Sequence, residues 1–261
     1  MSTHKDNRLR ILHVIAGMNR GGAETFVMNV FRTIDRNKFQ FYFLCFSDKH
    51  FDYEDEIKQL GGEIIRIPDV KKIGIVSHIK AIKSVIEDNS IDIVHAHTYY
   101  NSAFSLIAAK KAGVSTRIVH SHNTMSEVNP SLVKKVYFAL SKLTIRHYAT
   151  KRIACAKEAG YALFGRGNNF IVINNGIDLS RFSYKPAIRK DARAELNIPQ
   201  NATVLLNIAR FQEVKNHTYL IDVFKEYIKI HPNSHLLLVG DGQLRNTIEN
   251  KVRKLKLNNC V

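Results

Sequence analysis

Short apolar runs alternate along the chain with stretches whose apolar residues recur every three or four positions. The runs are RILHVIAG (10–17), QFYFLCF (40–46), EIIRIP (63–68), IDIVHAH (91–97), TRIVHSHN (116–123), KRIACA (151–156) and FIVINN (170–175). Runs this short and apolar on both sides predict buried strands. Between them, GAETFVMNVFRTI sets Phe26, Val27, Val30, Phe31 and Ile34 at helical spacing, and IVSHIKAIKSVIEDN sets Ile75, Ile79, Ile82 and Ile86 on one stripe. Buried strands joined by helices imply a parallel sheet covered on both faces, a Rossmann-like, doubly wound α/β domain.

The stretch 176–201 breaks this rhythm with two prolines and mixed charges, and only DARAEL within it suggests a short helix. It reads as a linker, so the expected division is 1–184 and 185–261. The rhythm then resumes. ATVLLNIAR (202–210) and HLLLVGDG (235–242) read as strands, and 216–232 and 243–257 as helices. The closing NNCV looks like the start of another strand. On this reading the second domain is the first part of another Rossmann-like domain, incomplete as written, because a full one needs on the order of 100 residues or more.

Composition changes the picture in two places. The formal net charge is +16, and residues 110–166 hold eleven Lys or Arg against Glu127 and Glu158. Such a field favours anionic partners: nucleotide phosphates, acidic lipids or nucleic acid. The three cysteines, Cys45, Cys155 and Cys260, have no CxxC spacing and suit a reducing compartment. The polar start MSTHKDNRLR lacks the apolar core of a signal peptide, and no run is long enough to span a bilayer. The expectation is a cytoplasmic protein, at most peripheral to the inner face of the membrane.

Two loops carry candidate chemistry. In MNRGGAETFV, Gly21 and Gly22 let the backbone approach a ligand, and the helix that follows offers free N–H groups to a phosphate. Neither GxGxxG nor GK[ST] is present, and Glu24 would satisfy the same helix end. From the glycines alone, a phosphate site and a plain strand-to-helix turn fit equally. In NIARFQEVKNH, Arg210 and Lys215 flank a loop at the carboxyl end of a strand, where α/β folds bind ligands. A guanidinium and an ammonium there would clamp a diphosphate without a metal. No Asp-x-Asp pair exists to carry Mg²⁺ or Mn²⁺.

Taken in order, GGAE, IVHSHNT, NNGID, ARFQEVKN and LLLVGDGQLR resemble the family 4 glycosyltransferases of the GT-B fold, over nearly the whole chain. Within that family the chain is most similar to bacterial exopolysaccharide and capsule transferases of the EpsF type. The resemblance implies a retaining transferase that uses a nucleotide sugar, with UDP favoured and GDP also open, and requires no cofactor or metal. By position it implies that Gly21 and Gly22 approach the donor phosphates and that His122 contacts the donor sugar near the reacting carbon. Arg210 and Lys215 would stabilise the departing diphosphate, and Gly240, Asp241 and Gly242 would lie near the nucleoside. Asn175 and Gly176 would mark the crossing into the second domain. The acceptor would be a lipid-linked sugar or a saccharide, chosen by loops near 18–22 and 122–130. The family also carries an E-x7-E pair, which is absent from 185–261 and expected beyond Val261, so poor turnover is expected of the chain as given.

The remaining histidines, His95, His97 and His120, read as core or loop residues. HxH on a strand points both rings to one face with no third ligand evident, so no metal site is expected. In SLVKKVYFALSKLTIRHY (131–148), Lys134, Lys135, Lys142 and Arg146 fall on one side in helical projection. Leu132, Val133, Val136, Tyr137, Leu140 and Leu143 lie opposite, and Phe138 and Ile145 interrupt the basic face. That pattern suits an anionic membrane surface or an ordinary surface helix. Two alternatives to the enzyme remain. A non-catalytic remnant or regulatory subunit would keep the membrane or partner surface without a donor site. A nucleic-acid binder rests on charge alone and lacks any recognised signature, so no nucleic-acid partner is expected.

Overall fold

The computed structural model describes residues 7–124 and 129–261. The chain divides into two compact units, Met1–Asp178 and Leu179–Val261. The acceptor loop expected at 122–130 lies partly outside the described residues, as does the start of the polar N-terminal stretch.

The first unit alternates strand and helix in the order β1 (Leu9–Val14), α1 (Gly22–Thr33), β2 (Phe39–Cys45), α2 (Glu54–Gln59), β3 (Glu63–Arg66), α3 (Val70–Asp88), β4 (Ile93–Ala96), α4 (Ser102–Lys111), β5 (Thr116–Ser121), α5 (Leu132–Tyr148), β6 (Lys151–Ala154), α6 (Lys157–Phe164) and β7 (Ile171–Val172). Among the described residues the strands form one parallel sheet in the order β3-β2-β1-β4-β5-β6-β7. The order reverses between β1 and β4. At such a switch point the connections leave in opposite directions and open a crevice at the carboxyl ends of the strands.

One face of the sheet packs Leu12, Val14, Leu44, Val94 and Ala96 against Ile82 and Ile86 of α3 and Phe104 and Ala108 of α4. The other packs Phe41, Phe43 and Cys45 of β2 against Val27, Met28 and Phe31 of α1 and Ile57 of α2. The Asp69 carboxylate caps α3 by accepting from the Lys71 N–H at 2.9 Å, and Gly74, at φ 76°, kinks that helix. The stripe expected from Ile75 holds at Ile82 and Ile86, which are buried, while Ile75 before the full turn is exposed. All three cysteines are free, and burial pushes the Cys45 thiol up to about 11.

α5 corrects the projection. Its packed side is Ser141 and Ile145, with Tyr137 and Phe138 half-buried. Leu132, Val133, Val136, Leu140 and Leu143 are 52–79% exposed, and Lys134, Lys135, Lys142 and Arg146 are exposed as well. Ile145 therefore does not interrupt a solvated basic face; it is the anchor that turns the leucines and valines outward.

The second unit contains α7 (Pro186–Glu195), β8 (Thr203–Ile208), α8 (His217–Ile230), β9 (Ser234–Val239) and α9 (Arg245–Lys254). β8 and β9 pair in parallel, and Phe211, Ile221, Phe224, Leu236, Ile248, Val252 and Leu257 form its core. The expected strand at NNCV is not formed. Residues 258–260 are a turn, although the Cys260 carbonyl accepts from the Leu236 N–H at 2.7 Å.

Candidate functional site

In the first unit the candidate residues gather at the carboxyl edge of the sheet around the β1–β4 switch point. Gly21 is the N-cap of α1, with extended backbone (φ −119°, ψ 172°) and no capping side chain. A Cβ added at Gly21 would fall on the Glu24 carboxylate, so that acid lies over the helix end. Gly22 is exposed and meets only the Asn175 amide, 3.8 Å from where its Cβ would be. Far apart in sequence, the glycine turn and the Asn175–Gly176 stretch are thus brought together. The Asn29 side chain ties them further by donating to the Gly176 carbonyl at 2.8 Å.

His122 follows β5 and is half-buried beside Phe26 of α1, with ring centres 5.9 Å apart. Four more imidazoles share its side of the sheet. Parallel register sets His13 of β1 against His95 of β4, and side chains two apart on a strand point the same way. His97 therefore joins His95, and His122 joins His120. His13 Nδ1 lies 3.1 Å from His97 Nε2, and His97 Nδ1 lies 2.9 Å from His122 Nε2. His122 Nδ1 is buried and has no hydrogen-bond partner among the described residues. The same is true of His95 Nε2, His13 Nε2 and both nitrogens of His120.

Burial drives every one of these rings toward the neutral form. It lowers His122 to about 4. Burial, joined by the field of neighbouring imidazoles, takes His13 to about 3 and His120 to about 2, and puts His95 and His97 well below the ordinary value. At neutral pH the group is a set of uncharged donors and acceptors. Sequence alone gives HxH no third ring; the strand register supplies one. The atoms of His13, His95 and His97, and separately those of His97, His120 and His122, lie within 4.8 Å of one another. Each strand taken alone shows two rings, and the third comes from the register of the strand beside it.

In the second unit, Arg210 is exposed at the end of β8, and Lys215 closes a one-turn helix at Glu213–Lys215. Asn216 then turns left-handed (φ 48°) to start α8, whose first N–H groups receive no side-chain cap from it. His217 is buried beneath them, and its pKa is lowered by burial and by Lys215. The loop containing Arg210 packs backbone to backbone on the loop after β9. The Phe211 N–H donates to the Asp241 carbonyl at 2.9 Å, and the Leu244 N–H to the Phe211 carbonyl at 3.1 Å. Gly240 (φ 149°) and Gly242 (φ 155°) make this fit possible: a Cβ at Gly240 would fall on the Ala209 carbonyl, and one at Gly242 would lie 2.6 Å from the Phe211 carbonyl oxygen. Arg210, Lys215, Gly240, Asp241 and Gly242 therefore share one edge of one unit.

Comparison with known proteins completes the picture. Residues 20–181 match the model of Glycosyltransferase Family 4, and residues 188–261 match that of Glycosyl transferases group 1. The chain is 34% identical over 253 residues to the putative glycosyltransferase EpsF of Bacillus subtilis, covering 95% of this chain and 66% of that protein. It is 30% identical over 268 residues to the Escherichia coli UDP-Gal:alpha-D-GlcNAc-diphosphoundecaprenol alpha-1,3-galactosyltransferase, covering 95% of this chain and 65% of that protein. The crystal structure of HepE from Anabaena in complex with UDP-glucose shares the fold, with a TM-score of 0.75 at 18% identity over 97% of this chain and 68% of that one. The chain spans about two-thirds of the length of these relatives.

Proposed function

The chain belongs to the family 4 glycosyltransferases, in the branch related to exopolysaccharide and capsule enzymes, and from that premise we propose that it serves transfer of a sugar from a UDP-sugar to a lipid-linked or saccharide acceptor with retention of configuration. In this reaction the glycosidic bond to the diphosphate breaks and a bond to an acceptor hydroxyl forms. Arg210 and Lys215 receive the negative charge that develops on the leaving diphosphate, helped by the uncapped N-terminus of α8. No metal is needed for that step, since both charges are supplied by the protein. His122, neutral at working pH, meets the donor sugar as a hydrogen-bond partner. Gly21 and Gly22 give the phosphates a close approach to backbone, and Gly240, Asp241 and Gly242 border the nucleoside.

The observation that carries this reading is the gathering of Arg210, Lys215 and Gly240–Gly242 on one strand edge beside a bare helix N-terminus. Calorimetry with UDP, uridine and GDP tests it. UDP should bind more tightly than uridine, and Arg210→Ala should weaken UDP by about 10- to 100-fold, the worth of a charge-assisted hydrogen bond. Equal affinity for UDP and uridine, or an Arg210→Ala variant that binds like the parent, would sink the diphosphate clamp. Tighter binding of GDP would change the nucleotide and leave the clamp.

We place the acceptor side at the inner face of the cytoplasmic membrane. Among the described residues no helix is long and apolar enough to cross a bilayer. α5 supports a peripheral role: its exposed Leu132, Val136, Leu140 and Leu143 run beside Lys135, Lys142 and Arg146. Flotation on vesicles with and without anionic lipid tests this. Retention on anionic vesicles that Leu140→Glu and Lys135→Glu each reduce is the expected result, and no retention removes the membrane surface.

A further inference from the structure

The histidine cluster exceeds what sugar transfer asks of it, since the proposed reaction uses one ring of five. We propose that the cluster binds one imidazole-preferring divalent transition-metal ion through His97, His120 and His122, with a fourth position open. The inference rests on the geometry of the cluster and not on the transfer reading, although the two share His122.

Geometry carries it. One ring nitrogen from each of the three lies within 4.8 Å of the others, and His97 Nδ1 and His122 Nε2 are 2.9 Å apart in the metal-free chain. A tetrahedral ion with metal–nitrogen bonds near 2.0–2.1 Å holds its ligands roughly 3.4 Å apart, so small side-chain rotations close the set. His120 is fully buried and neither of its nitrogens has a partner among the described residues. Burying such a group without a bond costs about 1–3 kcal/mol, which a metal bond would offset.

The tautomers agree. If His97 gives its Nδ1 lone pair to the ion, its Nε2 carries the proton and donates it to His13 Nδ1, 3.1 Å away. His13 is then the outer partner that fixes the orientation of the ligand, as carboxylates do for metal-bound imidazoles elsewhere. His95 lies nearly parallel to His120, with ring planes 7° apart, and holds that ring in place. Burial keeps the rings neutral, so their lone pairs are present at neutral pH.

The chemistry of the donors selects the ion. Three imidazoles with no carboxylate among them suit Zn²⁺, Co²⁺, Ni²⁺ or Cu²⁺ and disfavour Mg²⁺ and Ca²⁺. Three protein ligands with an open position resemble reactive rather than structural zinc sites. The uncompensated charge favours hydroxide or another anionic oxygen as the fourth ligand. Each of the two overlapping trios has one half-buried ring, but His122 follows the carboxyl end of β5, where an ion can enter, whereas His13 and His95 lie within β1 and β4.

The test uses the 261-residue chain without a polyhistidine tag, stripped with EDTA and titrated with Co²⁺ under visible absorption, with Zn²⁺ as competitor. One equivalent should bind with tetrahedral bands and be displaced by Zn²⁺. His120→Leu should abolish that equivalent, and His13→Phe should weaken it by about 10- to 100-fold. His147→Ala, an exposed histidine that is not one of the five rings, should leave it unchanged. X-ray absorption on the Zn²⁺-loaded parent should show three imidazoles, a readout that does not depend on any variant folding. No saturable Co²⁺ uptake, fewer than three imidazoles, or one-equivalent uptake that survives His120→Leu would each overturn the proposal.

Discussion

On β1 and β4, Leu12, Val14, Val94 and Ala96 face α3 and α4, while the alternate positions His13 and His95, continued by His97, face the side of α1. On β5, Val119 joins the buried aliphatic side, and His120 meets Phe26 of α1 with ring centres 4.9 Å apart. The same three strands thus carry two faces of opposite character. On the aliphatic face each fully buried side chain contributes about 1.5–3 kcal/mol by leaving water. On the imidazole face, burial leaves ring nitrogens without partners among the described residues and works against folding. The fold is secured on one side of the sheet, and that security lets the other side hold groups that would not assemble by themselves.

Acidification should separate the faces most strongly. Below the ordinary imidazole pKa of about 6.5 the unfolded chain gains protons that the folded cluster refuses. Stability of the chelator-treated chain should therefore fall as pH drops from about 6.5, by up to about 1.4 kcal/mol per pH unit for each ring that stays neutral. The fall should ease only where the folded rings themselves protonate, about 4 for His122 and about 3 for His13. Urea midpoints from pH 8 to pH 4 measure this, and a flat profile would mean that the rings are solvated. Leu12→Ala, on the opposite face, should cost about 2–5 kcal/mol, and the loss should be the same at pH 8 and pH 5.5.

His120→Leu sharpens the contrast. The ring gives up no hydrogen bond among the described residues, so the metal-free variant should be more stable than the parent by about 1 kcal/mol and lose part of the acid sensitivity. A destabilised variant would reveal a bound partner at His120. The smallest effect belongs to His147→Ala on exposed α5, which should stay within about 0.5 kcal/mol at either pH in thermal or urea unfolding.

Most of this architecture is legible in the chain because strands and amphipathic helices leave periodic traces. α4 is the instructive miss. Ser102, Ala103, Phe104, Ser105, Leu106, Ala108 and Ala109 are all buried, so the helix shows no polar stripe to betray it. α2 and α6 are too short to show a period. The outward-facing leucines of α5 were invisible for another reason: a projection finds an apolar side but cannot say whether that side meets the core. In the site, Arg210, Lys215 and the glycine loops stand out as local motifs. The histidine cluster does not, because it depends on register between strands. The one signal available was the recurrence of histidine at alternate positions in LHV, VHAH and VHSH.

The crossing of the loops after β8 and β9 has a consequence for how this edge can be varied. With the Ala209 and Phe211 carbonyls where the side chains of residues 240 and 242 would begin, a saturation library across 209–243 should return glycine alone at those two places. In a selection for folding alone, Asp241 and Gln243, both exposed, should accept many substitutions. Breeding a new donor preference at this edge would then proceed through alternating fixed and free letters, a stencil cut by backbone contact rather than by chemistry.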